Sequence, residues 1–239
     1  MVRIIGISGR KQSGKNTIAN YLTGYILKQK GMIYDYDISN EGSLEIKTTD
    51  SGNNAGWGVF DVTRKDHMLI SYAEKELWPY TKVYHFADYL KHLCIELFDL
   101  EPHQVYGTDE DKNTMTKYNQ TAREFLQYFG TDVMRKIKDT IWVDYTLKSI
   151  LSEQSQVAII PDVRFPNEVK AIKQANGIVI RLTRNVYNSD HPCESALDEE
   201  NFDWNNFDYV INNHNINLTD LISDVEQMNH ILIPNMETL

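Results

Sequence analysis

A chain of 239 residues, 41% of them hydrophobic, can bury one sizeable core and carry a small insert beside it. With 6 prolines, 12 glycines and no low-complexity tract, it excludes extended disorder. The net charge of −10 argues against a polymeric nucleic acid partner, whose phosphates demand a basic surface, yet admits small phosphorylated ligands that need only a few placed cations.

Residues 4–8 are expected to form a short buried strand, and the start Met1-Val2-Arg3-Ile4-Ile5 lacks the layout of a secretory leader, so a cytoplasmic protein is expected. A helix follows over 15–30, with Ile18, Leu22, Tyr25 and Ile26 at helical spacing and Gly31 as its C-cap. Residues 33–63 are rich in Asp, Ser, Gly and Asn around Ser51-Gly52-Asn53-Asn54. Partial alternation over 44–49 and 57–62 predicts a β-hairpin inserted into the main fold. A second core strand is expected at 82–86 and a helix at 87–98, where Cys94 lies. Further helical stretches are expected at 121–128, 132–138 and 142–152. An apolar strand at 157–160 ends in Pro161-Asp162. A helix at 167–174, strands at 178–182 and 209–211, and a terminal helix at 218–228 complete the order. Strands alternating with helices predict a three-layer α/β fold, a mainly parallel central sheet flanked by helices. The longest apolar runs are far too short to span a bilayer, and no membrane partner is expected. Cys94 and Cys193 show no metal-ligand spacing and read as reduced thiols.

The sharpest motif is Gly9-Arg10-Lys11-Gln12-Ser13-Gly14-Lys15-Asn16-Thr17, after the first strand and opening the first helix, the context a P-loop requires. Gly9 and Gly14 let successive backbone N–H groups turn inward around phosphate oxygens. Lys15 can reach the β- and γ-phosphates of a nucleoside triphosphate, helped by the partial positive charge of the helix N-terminus. After the lysine a Ser or Thr is usual. Here Asn16 stands there, with Thr17 next, and the Asn16 amide oxygen becomes the expected Mg²⁺ ligand, directly or through water. Asp162, at the end of a neighbouring strand, is the natural second acid for the metal; a helix cap is the alternative.

Beyond the loop, six blocks occur in the order found in, and resemble, the phage-type deoxynucleoside monophosphate kinases. They are Phe86-Ala87-Asp88-Tyr89-Leu90-Lys91, Tyr106-Gly107-Thr108-Asp109-Glu110-Asp111-Lys112-Asn113, REFLQYFGTDVMR at 123–135, Trp142-Val143, Pro161-Asp162-Val163-Arg164-Phe165-Pro166-Asn167-Glu168 and His191-Pro192-Cys193-Glu194. They cover most of the chain outside 33–63, and that family tends to carry an acidic residue where Asn16 stands. The resemblance implies a single P-loop kinase domain that passes the γ-phosphoryl of ATP to the 5′-phosphate of a dNMP. It also implies an acceptor-binding helical region over about 87–155, a lid loop over about 184–201, and the host cytoplasm as location if phage-encoded.

It implies, too, an acceptor-phosphate contact for Lys91, otherwise an exposed helical lysine, and places Arg123, Gly130, Thr131 and Trp142 around the deoxynucleotide. Arg123 is read as an acceptor-phosphate ligand ahead of a surface salt bridge. Trp142 is read as stacking on the base or packing the core, and Gln127 as a base-edge amide or a solvated helix position. Arg164 can bridge the transferring phosphoryl, oriented by an i,i+4 pair with Glu168, which is counted with the ATP site; the bland alternative is that ion pair alone. Arg184 joins Lys15 and Arg164 as the expected lid arginine, ahead of Arg181, read as a strand-end charge. Asp162 is counted with the substrate as well as the metal. The roles of His191 and Glu194 stay open, and Asp109-Glu110-Asp111 reads by default as a solvated loop. The insert is ranked as a dimer surface ahead of a substrate flap or a decorative hairpin, which makes a homodimer an expectation. A kinase for another small acceptor (dephospho-coenzyme A, a nucleoside or phosphomevalonate) and a non-catalytic nucleotide switch remain alternatives. The switch would want a guanine-reading motif, and Asn212-Asn213-His214 does not qualify as one.

Overall fold

The computed structural model describes residues 2–49, 52–62, 67–186 and 192–234. Ser51 in the expected hairpin turn, the insert end at Thr63, and His191 lie outside the described residues. In chain order the strands are β1 (Arg3–Ser8), β2 (Asp35–Ile38), β3 (Leu44–Lys47), β4 (Trp57–Val59), β5 (Thr81–Val83), β6 (Val157–Val163), β7 (Ile178–Leu182) and β8 (Tyr209–Ile211). The helices are α1 (Lys15–Gln29), α2 (His67–Glu76), α3 (Asp88–Phe98), α4 (Pro102–Tyr106), α5 (Asp109–Lys112), α6 (Ala122–Gln127), α7 (Ile141–Glu153), α8 (Pro166–Gln174), α9 (Pro192–Ser195), α10 (Leu218–Gln227) and α11 (Asn229–Leu232). The chain forms two compact units, Met1–Tyr84 with Ile150–Leu239, and His85–Ser149.

The first unit is built on a parallel sheet in the order β5-β6-β1-β7-β8, with helices on its faces, as the alternation of elements predicts. β1 is apolar on both sides because both sides are covered. Ile5 and Ile7 pack among Ile18, Leu22 and Ile26 of α1, while α8 lies against β1 and β7. The connection after β1 runs towards the β5 edge, whereas the connection after its neighbour β6 crosses to β7 on the other side. Such a reversal opens a crevice at the carboxyl end of the central strand. α1 ends as expected at Gly31, whose φ of 68° lets the Met32 N–H return to the Leu27 carbonyl at 2.9 Å and the Gly31 N–H to Lys28 at 3.0 Å.

In the core sheet, β6 and β5 differ from expectation. β6 does not stop at Ile160 but runs through Pro161 to Val163. Gly6 pairs with Ile160 and Ser8 with Val163, so Ile7 faces two residues, Pro161 and Asp162. Pro161 has no N–H for the ladder, and the bulge absorbs that loss. Asp162 is therefore part of the strand end; the cap of the following helix is Phe165. β5 spans 81–83, not 82–86: Tyr84 keeps one ladder bond to the Ile159 carbonyl at 2.8 Å, and His85 and Phe86 lie outside the strand.

The insert is a three-stranded antiparallel sheet, β2-β3-β4. The expected hairpin is present as β3 and β4, shorter than anticipated, and β2 adds a strand before it. Ile38 and Leu44 are buried in the same core cluster as α1, with Tyr36 packed against it. The β2–β3 turn reaches the start of that helix. The Asn20 side-chain amide donates to the Gly42 carbonyl at 2.8 Å, and a side chain at Gly42 would collide with the Thr17 hydroxyl. α2, which no periodicity announced, packs Ala73 and nearby Leu77 on Leu27 and Ile33.

The second unit is helical and holds an aromatic cluster of Phe98, Tyr118, Phe125 and Phe129. The expected separate helices at 121–128 and 132–138 are one run, α6 passing directly into a π-helical stretch at Tyr128–Arg135. Among the described residues no helix is long and apolar enough to cross a membrane.

Candidate active site

Gly14 caps α1 with φ 101°, and Gln12 adopts the left-handed conformation at φ 59°, so the loop curls back on itself before the helix starts. The Lys15 ammonium donates to the carbonyls of Gly9 at 2.8 Å and Arg10 at 2.6 Å. Ser13 is buried, and its hydroxyl has no partner among the described residues. Asn16 is exposed at the start of α1 and Thr17 is half-buried.

Ser8, Val163 and Arg181 stand at one level across β1, β6 and β7. Arg181 is 4% exposed, which replaces the reading of it as a strand-end charge. Its guanidinium donates to the Ser8 hydroxyl at 3.1 Å and to Asp198 at 2.9 Å, and lies 5.3 Å from the centre of the Trp204 ring. Asp198 also pairs with Arg10. Glu194 accepts the Lys11 backbone N–H at 2.8 Å through one oxygen and pairs with Arg164 through the other. Glu168 is buried and accepts the backbone N–H groups of Arg164 at 2.7 Å and Phe165 at 3.1 Å. It thereby fixes the strand-to-helix turn that presents Arg164.

These charges act on Lys15. Burial pushes its ammonium down to about 8, and Arg164 presses in the same direction; Glu194 and Asp162 push it back up, and Arg181 lowers it. The expected members Lys15, Asp162 and Arg164 are thus brought together at the carboxyl edge of the sheet. Arg184 is placed differently: its side chain is exposed, and its backbone N–H donates to Asn213 at 2.8 Å.

In the second unit, Arg123 pairs with Asp109 at 2.8 Å and donates to Asn113 at 3.1 Å, so the acidic run holds the arginine and is more than a solvated loop. Thr121 caps α6 in a capping box with Glu124, which sets the first turn that carries Arg123. Lys91 lies over the Tyr106 ring, 4.8 Å from its centre. Trp142 is buried and donates its indole N–H to the Gly130 carbonyl at 3.0 Å, which favours packing over stacking on a base. Gln127 is exposed at the end of α6, and Gly130 and Thr131 lie in the π-helical stretch. Such widened turns are frequent at functional sites.

Arg10, Asp198 and Asn213 were missed. Asp198 sat in an acidic loop and Asn213 in a polar strand exit, and neither position shows a spacing that could reveal its distant partner.

The deoxynucleotide monophosphate kinase family matches this chain over residues 3–225. A protein of Acanthamoeba polyphaga mimivirus assigned as a deoxynucleotide monophosphate kinase is 37% identical over 129 residues, 47% of this chain and 66% of that protein. A deoxynucleoside-5′-monophosphate kinase of Escherichia phage T5 is 29% identical over 108 residues, 41% of this chain and 43% of that protein. In each case the match spans less than two thirds of the relative's own length. With nearly the whole chain matched, and a phosphate loop set among arginines at the expected sheet edge, the chain belongs to the deoxynucleotide monophosphate kinase family.

Proposed function

We propose that this protein transfers the γ-phosphoryl group of ATP to the 5′-phosphate of a deoxynucleoside monophosphate, yielding ADP and the diphosphate. The observation that supports it most is the position of Lys15, in a phosphate-cradling loop with Asp162, Arg164 and Arg181 gathered around it. In this reading the loop from Gly9 to Thr17 takes the triphosphate through its backbone N–H groups, and the buried Ser13 hydroxyl stands within that loop as a donor unpaired among the described residues. Lys15 and Arg164 neutralise charge as the acceptor oxygen attacks the γ-phosphorus and the bond to the ADP oxygen breaks. No general base is required, because the acceptor phosphate is already an anion. Glu168 acts as a positioning residue for Arg164.

Among the described residues no three or more His, Cys, Asp or Glu side chains cluster as a metal site. Asn16 and Asp162 are hard oxygen donors, which suits a Mg²⁺ that arrives on phosphate oxygens and needs one or two protein ligands. When bound it would offset charge on the β- and γ-phosphates. Lys91 and Arg123, with Gln127, Gly130 and Thr131, are the residues we assign to the acceptor, Trp142 acting through Gly130. Self-association through the insert, where Tyr34 and Val59 are exposed, and residence in the cytoplasm complete the reading.

The test is to incubate the protein with ATP, Mg²⁺ and each of the four standard dNMPs, and to quantify ADP and dNDP by chromatography. A dNDP product that disappears in Lys15→Ala supports the reading. Hydrolysis of ATP without an acceptor product, or turnover only with a coenzyme precursor or a nucleoside, overturns the acceptor assignment.

A further inference from the structure

Glu194 places a carboxylate where a phosphate is expected. One oxygen takes the backbone N–H of Lys11, inside the phosphate loop, at 2.8 Å, and the other pairs with Arg164. A loop amide and a guanidinium are the pair of donors that binds a phosphate oxygen. Glu194 is also the first of the two acids that hold Lys15 in its charged form. Four residues on, Asp198 pairs with Arg10 and Arg181, so a single short segment brings two carboxylates onto the cationic side of the loop. The Glu194 side chain is only 15% exposed, so its charge sits among these donors and not in solvent.

We infer that Glu194 is an internal competitor for the nucleotide's phosphates, occupying the Lys11 amide and Arg164 in the free protein and giving them up when a triphosphate binds. The inference rests on the triphosphate site proposed above. Two anions cannot share these donors, because like charges at hydrogen-bonding distances repel strongly where water is scarce. Apparent affinity then falls by the fraction of molecules in which the donors are free. Glu194 thus weakens ATP binding without touching ATP, and the competition is for phosphate and indifferent to the base.

The test uses the full chain and two variants, Glu194→Gln and Glu194→Ala, titrated calorimetrically with inorganic tripolyphosphate and with a non-hydrolysable ATP analogue. Glu194→Gln keeps the volume and an acceptor for the Lys11 N–H, so it carries the comparison should Glu194→Ala melt early. The expected result is a Kd roughly tenfold lower in Glu194→Gln, by a similar factor for both ligands. The KM for ATP should fall in parallel, with kcat changed far less. A Kd that is unchanged or higher in a variant with wild-type melting overturns the inference, since Glu194 would then be a structural acid or a direct ligand contact. If the wild-type chain binds neither probe, the triphosphate site itself is refuted, and the inference with it.

Discussion

Asn213 donates its side-chain amide to the carbonyl of Ser13 at 2.7 Å, across 200 positions of sequence. Its oxygen accepts the Arg184 backbone N–H at 2.8 Å, and the residue is only 1% exposed. One side chain able to donate and accept thus joins the phosphate loop to the ends of β7 and β8. Asn213→Ala leaves the buried Ser13 carbonyl and the half-buried Arg184 N–H without this partner, and the expected cost is about 1–3 kcal/mol. Asn213→Asp should cost at least as much, because a carboxylate cannot donate to Ser13. Urea unfolding reads both, together with a raised KM for ATP. A midpoint equal to wild type would show that the loop needs no such tie.

Lys15 yields a pH prediction with a definite sign. Its ammonium titrates near 8 in the folded protein against an ordinary value of 10.5. Bound phosphates favour the charged form, so ATP should recruit almost no proton at about pH 6.5 and nearly one at about pH 9. Calorimetry in two buffers of different ionisation enthalpy measures this uptake, and equal uptake at both pH values contradicts the assignment. Because the folded value is depressed, the charged lysine opposes folding below about 8, and that opposition fades as pH rises towards 10.5. Lys15→Met should therefore abolish phosphoryl transfer while raising the melting temperature at neutral pH.

Gly130 cannot take a side chain cheaply. A Cβ there would lie 2.5 Å from Leu90 Cδ2. Gly130→Ala should cost about 1–3 kcal/mol through overpacking. Trp142→Phe, which removes the indole bond to the Gly130 carbonyl and leaves part of the buried ring space empty, should cost about 1–3 kcal/mol. Under the proposed assignment, the second variant raises the KM for the dNMP and leaves that for ATP unchanged. A shift in the ATP constant alone would argue that this stretch has no part in acceptor binding.

The insert turn offers a fourth test. Gly42 has φ 82° and abuts the Thr17 hydroxyl. Gly42→Ala combines a left-handed conformation costing about 1 kcal/mol with a steric conflict at Thr17 in the first turn of α1. Hydrogen exchange should show faster opening of β2 and β3, and the ATP affinity should drop with it. Unchanged ATP affinity would mean that the insert and the loop are energetically independent.

The first thirty residues were legible because one stretch of chain holds the whole pattern: an apolar strand, two glycines, a lysine and a helical stripe ending at Gly31. The course of β6 was not, since Pro161 reads locally as a terminator, and only the paired register shows that a bulge absorbs it. The join of α6 to its π-helical stretch was hidden by Gly130, which suggests a break until Leu90 is seen filling the space a side chain would need. β2 carries Asp35 and Asp37 alternating with Tyr36 and Ile38, a usable signal outweighed by the polar composition of the insert. Arg10 with Asp198 and Ser13 with Asn213 could not be read at all, because the partners lie 188 and 200 positions apart and no periodicity links them. Lys15 and Asp162 were named from the loop and the neighbouring strand, and Glu168 was expected beside Arg164; the residues that tie the loop to distant segments, Asp198 and Asn213, were not.

The sheet borders carry a consequence for the chain's behaviour in concentrated solution. The core sheet ends in β5 and β8, three residues each, and the insert sheet ends in β2 and β4, four and three. A strand that short presents few free amides and carbonyls to a passing chain, and short borders are one way natural proteins discourage ribbon growth. The long, strongly apolar strands β1, β6 and β7 occupy the interior positions, where neighbours satisfy both flanks. The order of strands thus guards against aggregation as well as forming the crevice.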